Sequence, residues 1–460
     1  MKKAAMKKTG RSARIALLPL LLPAWALAQA TSPAPATPTA SDVSAAVSGL
    51  EKIALGEYTM FFLVNGRIEA LGSNRAGEAG FPATHGSAAV PAQEIAAPPG
   101  IRFVDVACGG YQSVAVDDTG HVWAWGFDNY GSMGNGIADN VQYLPAKVAT
   151  DMEGNPFGDV IAVKAGFHFF AALKKDGSVW VWGLSGNDHI DYDSSGLVGN
   201  GDKTGQNVVL PSRVIFPEGV TIVKISAGWI DMLALDGTGT VWSWGGGEHG
   251  AVNRGTDAPD YATPAKLSQL PAGIQDITAG SDWNYAVDSH RDLWGWGLLG
   301  GELGLGQDAQ NHYPSAPAPV KLDFPDLNGR VKEIVVSELS THVLRDDGTL
   351  WGWGSNPRGE VGTGEMKDWA NTTPPYAWDW GRYENMVPKP VQVLDHVEHV
   401  YGGTQAAYVY VLETDGTLWS WGRNKTGVLG NATSLPPSQE VAKFPDKWDV
   451  PTPTQIKPLN

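Results

Sequence analysis

The pentapeptide VWAWG, ending at Gly126, recurs as VWVWG (to Gly183), VWSWG (to Gly245), LWGWG (to Gly297 and again to Gly354) and LWSWG (to Gly422). A worn copy, IEALG, ends at Gly72, and the successive glycines stand 54, 57, 62, 52, 57 and 68 residues apart. Self-similarity at a period of this size marks a repeat architecture, in which each unit buries its apolar face on its neighbours. Each copy has the same parts. An apolar stretch ends in Ala-Gly or similar, as in VKAG (Val163 to Gly166) and VKISAG (Val223 to Gly228). A second stretch such as AALKKDG runs into Asp176-Gly177, a pair suited to a hairpin turn. The Trp segment follows, then a loop such as GSMGNG, GLVGNG or GEVGTG, and last a stretch beginning near a proline, such as LPAKV or LPSRV. Four short strands per copy and seven copies predict an all-β chain, a seven-bladed β-propeller of four-stranded antiparallel blades.

The tryptophans follow from this geometry. Side chains alternate faces along a strand, so Trp123 and Trp125 share one face and Ala124 takes the other. The intervening residues are Ala124, Val181, Ser243, Gly295, Gly352 and Ser420, mostly small, so each blade is expected to pack bulk against a neighbour's space. Twelve of the 19 tryptophans belong to these pairs, which gives them a structural reason to exist. Each buries roughly 150–250 Å², about 4–6 kcal/mol of gross apolar burial before entropy is subtracted.

The ends read differently. MKKAAMKKTGRSAR is basic, IALLPLLLPAW is apolar, and Ala26-Leu27-Ala28 suits cleavage, so residues 1–28 read as a secretory signal. Residues 29–49 form a Pro/Ala/Thr-rich linker, and 50–460 carry the propeller. A periplasmic or secreted location is expected, without membrane insertion and as a monomer. Removing the signal takes six basic residues from the count, leaving 27 basic against 49 acidic, or −22. Such a charge repels phosphate backbones, so nucleic acid is not an expected partner. The only cysteine is Cys108, so no disulfide within the chain contributes.

The pattern ACGGYQSVAVDDTGHVWAWGFDNYGSMGNG, with its six further copies, resembles the regulator-of-chromosome-condensation repeat family over about residues 50–460. The resemblance implies the propeller fold and leaves the task open, since one fold hosts many. The family's founding member is a nuclear nucleotide-exchange factor that binds chromatin, a role at odds with a signal peptide and an acidic surface. A plant relative senses ultraviolet light through clustered tryptophans. A secreted bacterial relative inhibits β-lactamases by covering their active sites, and it matches the expected compartment best. Three copies depart from the pattern: the first lacks both tryptophans, the fifth has His290-Arg291 at its turn, and the sixth has Ser337-Glu338 where others have Ala-Gly.

If the Ala-Gly strand is innermost, the turn after it and the loop after Trp-Gly emerge on one face, and the Asp-Gly turns on the other. The inner ring of the first face then carries Tyr58, Tyr111, Phe167, Trp229, Trp283, Leu339 and Gln405. Exposed aromatics around a rim read as a binding surface, or else they plug the axis. The insertion MKDWANTTPPYAWDWGRYENM adds Trp369, Tyr376, Trp378, Trp380 and Tyr383 to that face. Tyr and Trp offer large contact area at low entropic cost, which suits a protein partner. Stacking on a glycan would use the same residues.

Other chemistry is thinner. DYDSSGLVGNGD has Asp191, Asp193 and Asp202 at calcium-loop spacing, but GLVGNGD is also the repeat's own glycine loop, so calcium is the weaker reading. GGGEHG and GWGLLG match a dinucleotide glycine pattern without opening a helix, and are read as repeat loops. DHVEHV offers His396 and His399 without a third metal ligand. The sequence shows no serine elbow, Gly-Lys-Thr loop or isolated carboxylate pair, so the reading is a binding protein, not an enzyme, with no cofactor. An enzyme with an unrecognised site is the remaining alternative.

Overall fold

The structure is a computed structural model, and it describes residues 49–82, 90–138, 140–185, 197–246, 262–281, 283–297, 302–306, 316–338, 340–365, 386–424, 426–430 and 449–456. The signal segment and nearly all of the linker lie outside these residues, as do Leu339, Asp191, Asp193 and the 366–385 insertion with its five aromatics.

Among the described residues every regular element is a strand, and the strands form seven four-stranded antiparallel sheets. Blade 1 runs Leu50–Leu55, Thr59–Val64, Arg67–Gly72 and Val90–Glu94. The other blades repeat that order, each from four consecutive strands. Their first strands are Phe103–Cys108, Val160–Ala165, Ile222–Ala227, Asp276–Ala279, Val331–Val336 and Val397–Tyr401. Each first strand touches the next, and the seventh touches the first, so they form the innermost circle. Among the described residues no strand is exchanged between blades 7 and 1. The seven-bladed fold and the strand order read from the sequence are both observed.

Register fixes the two faces. Thr59 pairs with Gly72, Gln112 with Gly126, Phe169 with Gly183 and Tyr408 with Gly422. The start of each second strand thus lies beside the end of each Trp strand, and the loops leaving both emerge at one end of the ring. The Asp-Gly turns lie at the other end. There Arg291 takes the glycine's place with φ +62°, and its N–H donates to Asp288 O at 2.9 Å, as Gly120 does to Asp117. The turn at His290-Arg291 therefore keeps its shape, at the strain a side chain incurs in the left-handed region.

The two tryptophans of a pair do different work. The second is fully buried and reaches into the preceding blade. Trp125 Nε1 donates to Glu78 O at 3.0 Å, Trp182 to Ser132 O at 2.8 Å, Trp244 to Leu197 O at 3.1 Å, Trp353 to Glu302 O at 2.8 Å and Trp421 to Glu360 O at 2.8 Å. A Cβ on Gly134 would stand 3.0 Å from Trp182 Nε1, so the loop glycine admits the indole. The first tryptophan stays with its own blade. Trp123 Nε1 donates to Asp117 Oδ2 at 2.9 Å, while Asp117 Oδ1 accepts the Thr119 and His121 amides. Ala124 shares an apolar cluster with Trp182 of the next blade, and Ala70 one with Trp125, whereas the space over Gly352 is met by His342 of its own blade.

First-strand side chains that alternate with the buried Ile53, Val106, Ile225, Ile277, Ile334 and Val400 line the axis. At one level these are Lys52, Asp105, Lys224, Asp276, Glu333 and His399. Lys52 pairs with Asp105, Lys224 with Asp276, and His399 Nδ1 lies 2.8 Å from Glu333 Oε1. His399 is thus engaged across a blade boundary, and His396 lies 3.1 Å from Asp395. Among the described residues no group of three His, Cys, Asp or Glu is placed to hold a metal ion. Asp202 accepts from the Thr204 N–H at 2.8 Å and its hydroxyl at 3.0 Å, the bonding of a local turn.

Candidate functional site

The inner turns at the loop-bearing end have one design. In blades 1 to 6 the N–H of the residue after the first strand donates to the carbonyl three residues on: Gly56 to Thr59, Gly109 to Gln112, Gly166 to Phe169, Gly228 to Asp231, Gly280 to Trp283 and Ser337 to Ser340. Two sequence readings are corrected by this register. Ser337, not Glu338, stands at the glycine position of blade 6. Trp283 is not on the rim, because it is the first residue of the second strand, equivalent to the buried Thr59, Gln112 and Phe169. It is fully buried. Counting from the Gly of Ala-Gly, two residues separate turn from strand, and Trp283 is the third.

The turns are then joined around the axis. Glu57 N donates to Gly109 O at 3.3 Å, Gln112 Nε2 to Phe167 O at 2.7 Å, Phe167 N to Trp229 O at 3.1 Å and Trp229 N to Gly280 O at 3.1 Å. Ser281 Oγ donates to Glu338 O at 3.1 Å, Glu338 N to Ala406 O at 2.9 Å, and Tyr408 Oη closes the circle on Gly56 O at 2.9 Å. A turn bonded to both neighbours has little freedom to lose on binding, which is the physical content of preorganisation.

Two arcs stand on this belt. Tyr58, Tyr111, Phe167 and Trp229, from blades 1 to 4, are all half-buried. The Tyr58 and Tyr111 rings are 5.2 Å apart, and Phe167 meets Trp229 edge to face at 5.3 Å. The opposite arc is charged. Arg423 Nη1 lies 3.7 Å from Glu57 Oε1 and 4.0 Å from Glu338 Oε2, and Arg358 Nη1 lies 3.4 Å from Glu338 Oε2. The Arg423 guanidinium also lies 5.2 Å from the Tyr58 ring centre, joining the arcs. Burial raises the Glu57 carboxyl above its usual range. Behind Arg358, burial pushes the fully enclosed Glu360 up to about 8. Gln405 sits between the arcs with 6% of its surface exposed.

Of the aromatics expected here, the structure brings together Tyr58, Tyr111, Phe167 and Trp229, with Gln405 beside them. The charged arc was not read from the sequence. Its members occupy unlike positions of their repeats: Glu57 and Glu338 in inner turns, Arg423 directly after Trp-Gly, Arg358 four residues after it. Superposing the copies would have paired Glu57 with Glu338. Cys108, the one thiol, is kept protonated by burial and lies 3.7 Å from Thr59 O.

Known proteins place the chain. It is 28% identical over 273 residues to the ultraviolet-B receptor UVR8 of Arabidopsis thaliana, covering 58% of this chain and 57% of the receptor. It is 27% identical over 254 residues to the human E3 ubiquitin-protein ligase HERC2, of which that stretch is 5%. The guanine nucleotide exchange factor SRM1 of Saccharomyces cerevisiae is 23% identical over 380 residues, 76% of this chain and 74% of that protein. The chain thus spans 57% or less of the first two relatives. Yeast RCC1 (Prp20), solved bound to Kap60, superposes with a TM-score of 0.66 at 20% identity over 94% of this chain and 90% of that one, a likeness of fold. The RCC1-like domain pattern matches residues 70–457, from the third strand of blade 1 to the end of blade 7. A match that runs unbroken through the ring decides the assignment: this chain belongs to the RCC1-like domain family.

Proposed function

We propose that the chain is a periplasmic or secreted propeller that binds another protein with its loop-bearing face, as an inhibitor of or scaffold for an extracytoplasmic protein. The observation that carries this reading is the belt of inner turns, which holds half-buried aromatics beside an arginine–glutamate cluster. Interface energy concentrates in a few Trp, Tyr and Arg side chains in water-poor, preorganised settings. A protein partner is also what one relative's title records, since yeast RCC1 (Prp20) was solved bound to Kap60. The proposal also assigns the 366–386 insertion, with Trp369, Tyr376, Trp378, Trp380 and Tyr383, to this surface, on the ground that it follows a Trp strand in the sequence.

The test is capture of partners from periplasmic extract by the wild type and by two variants. Trp378→Ala with Trp380→Ala, and Tyr58→Ala with Trp229→Ala, are expected to lose the captured protein while melting as a folded ring. Charge reversal at Asp176 and Asp347, on the opposite turns, is expected to keep it. Capture lost only in the turn variants would assign the other face. Stabilisation by polysaccharide fragments, with no protein captured, would replace the protein partner by a glycan.

A further inference from the structure

Blade 3 breaks the pattern of the axis. At the level where the other six first strands carry Lys52, Asp105, Lys224, Asp276, Glu333 and His399, it carries Ala162. The register is the same, since Ala162 pairs with Leu173 as Asp105 does with Val116 and Lys224 with Leu235. The charge of blade 3, Lys164, comes two residues later on the same face of the strand. Ala162 is half-buried and not enclosed, so the place between Asp105 and Lys224 is open to water, with Lys164 beside it.

The charges around that place do not balance. Lys52, Lys164 and Lys224 bring ammoniums, and only Asp105 and Asp276 bring carboxylates, both already engaged. Asp105 Oδ1 accepts from Lys52 and from the Val106 N–H at 3.0 Å, and its Oδ2 accepts from the Val163 N–H at 2.8 Å. Asp276 Oδ1 accepts from Lys224 and from the Ile277 N–H at 2.6 Å. Further round, Glu333 faces His399, and Lys332 donates to Glu398 O at 2.7 Å. Lys164 has neither hydrogen bond nor ion pair among the described residues, and its half-buried side chain keeps the ammonium in touch with water. Repulsion by Lys52 lowers its pKa most, ahead of burial, and Lys224 adds to the effect.

We propose that a small monocarboxylate binds in the axis against Lys164, between Lys52 and Lys224 and over Ala162. Three ammoniums against two carboxylates leave one positive charge, which a monoanion balances. Oxygen acceptors suit ammonium donors, because charge-assisted N–H···O bonds are short and strong. A carboxylate also has an apolar end, for which Ala162 supplies an apolar floor. The chain as a whole carries a formal charge of −16 and repels anions, so the attraction is local to these lysines.

The test uses the whole chain with 13C at the lysine Cε positions. The Lys164 resonance, assigned by its loss in Lys164→Met, is followed through pH in sodium chloride and in sodium acetate of equal ionic strength. An anion that binds only the charged form raises the midpoint, by about one unit at about ten times its Kd. The midpoint is expected near 8 in chloride and above it in acetate. The exposed Lys175 is expected to titrate alike in both salts. Lys164 is charged below its midpoint and loses the charge above it, so the acetate affinity is expected to fall about tenfold from pH 7 to pH 9. Acetate is expected to raise the melting temperature of the wild type at pH 7 and to leave Lys164→Met unmoved. Should Lys164→Met fail to fold, Lys164→Gln serves for both purposes. Equal midpoints in the two salts, equal stabilisation of the Lys164 variant by acetate, or a larger midpoint shift in sulfate than in acetate would each overturn the proposal.

Discussion

Trp182→Ala tests whether the tryptophan pairs hold the ring. Trp182 is fully buried, meets Phe157 and Phe170 edge to face at 5.8 and 5.9 Å, and donates across the blade boundary to Ser132 O at 2.8 Å. Removing the ring loses its apolar burial and leaves a cavity that the neighbouring strands fill only in part. Trp→Ala at such sites costs about 3–5 kcal/mol. Trp182→Phe separates the terms. It retains most of the packing but strands the Ser132 carbonyl, for about 1–3 kcal/mol. Trp180→Phe is the comparison within the pair, since Trp180 Nε1 donates only to Ser178 Oγ of its own turn, at 3.0 Å. Urea unfolding followed by circular dichroism, with reversibility checked by dilution, reads all three. The expected order of loss is Trp182→Ala, then Trp182→Phe, then Trp180→Phe. A Trp182→Ala variant that unfolds at the wild-type midpoint yet fails to capture the partner would refute the structural role and make the pair a binding feature.

Other perturbations follow from the same contacts. Lys164 lies on the first strand of blade 3, where nearby Lys52 and its burial bring its pKa down to about 8. A base with a folded pKa below its unfolded value near 10.5 is destabilising when charged. That penalty is fully present below pH 8 and fades as the pH rises through 8 toward 10.5. Lys164→Met is therefore expected to stabilise by about 1–2 kcal/mol at pH 7, after discounting for its partial exposure, with the gain shrinking at pH 10; a pH-independent gain would refute the assignment. Tyr408→Phe removes the hydroxyl that reaches Gly56 O and is expected to cost about 1–2 kcal/mol. Hydrogen exchange should then rise first in blades 1 and 7, and a uniform rise would count against the closure role.

The repeat was legible because its marks are physical necessities. The indole needs a glycine opposite it, so Trp125, Trp182 and Trp244 announce Gly80, Gly134 and Gly199 one repeat earlier. The division of work within each pair was not legible, since both members share a face and differ only in which carbonyl or carboxylate they reach. Trp283 was misplaced by a single-residue count, and in a strand that decides between rim and core. The charged arc escaped because Glu57, Arg423, Glu338 and Arg358 converge from three blades by ring geometry, which no local pattern encodes.

The worn first repeat has a mechanical consequence. Leu71 stands where the other blades place the second tryptophan, so blade 1 sends no indole into blade 7. The waiting carbonyl, Val428 O, is taken by Tyr410 Oη from within blade 7, at 2.5 Å. Among the described residues, which show no exchanged strand, the boundary between blades 7 and 1 is fastened by Tyr408, by Thr426 Oγ1 on Tyr58 O at 3.0 Å, by Arg423 with Glu57 and by the apolar cluster that the two blades share. The ring therefore has a clasp, and the clasp is set with residues of the proposed site. Anything that grips Glu57 and Gln405 together spans the gap from blade 1 to blade 7. Binding on the proposed surface and closure of the ring would thereby be coupled, each favouring the other.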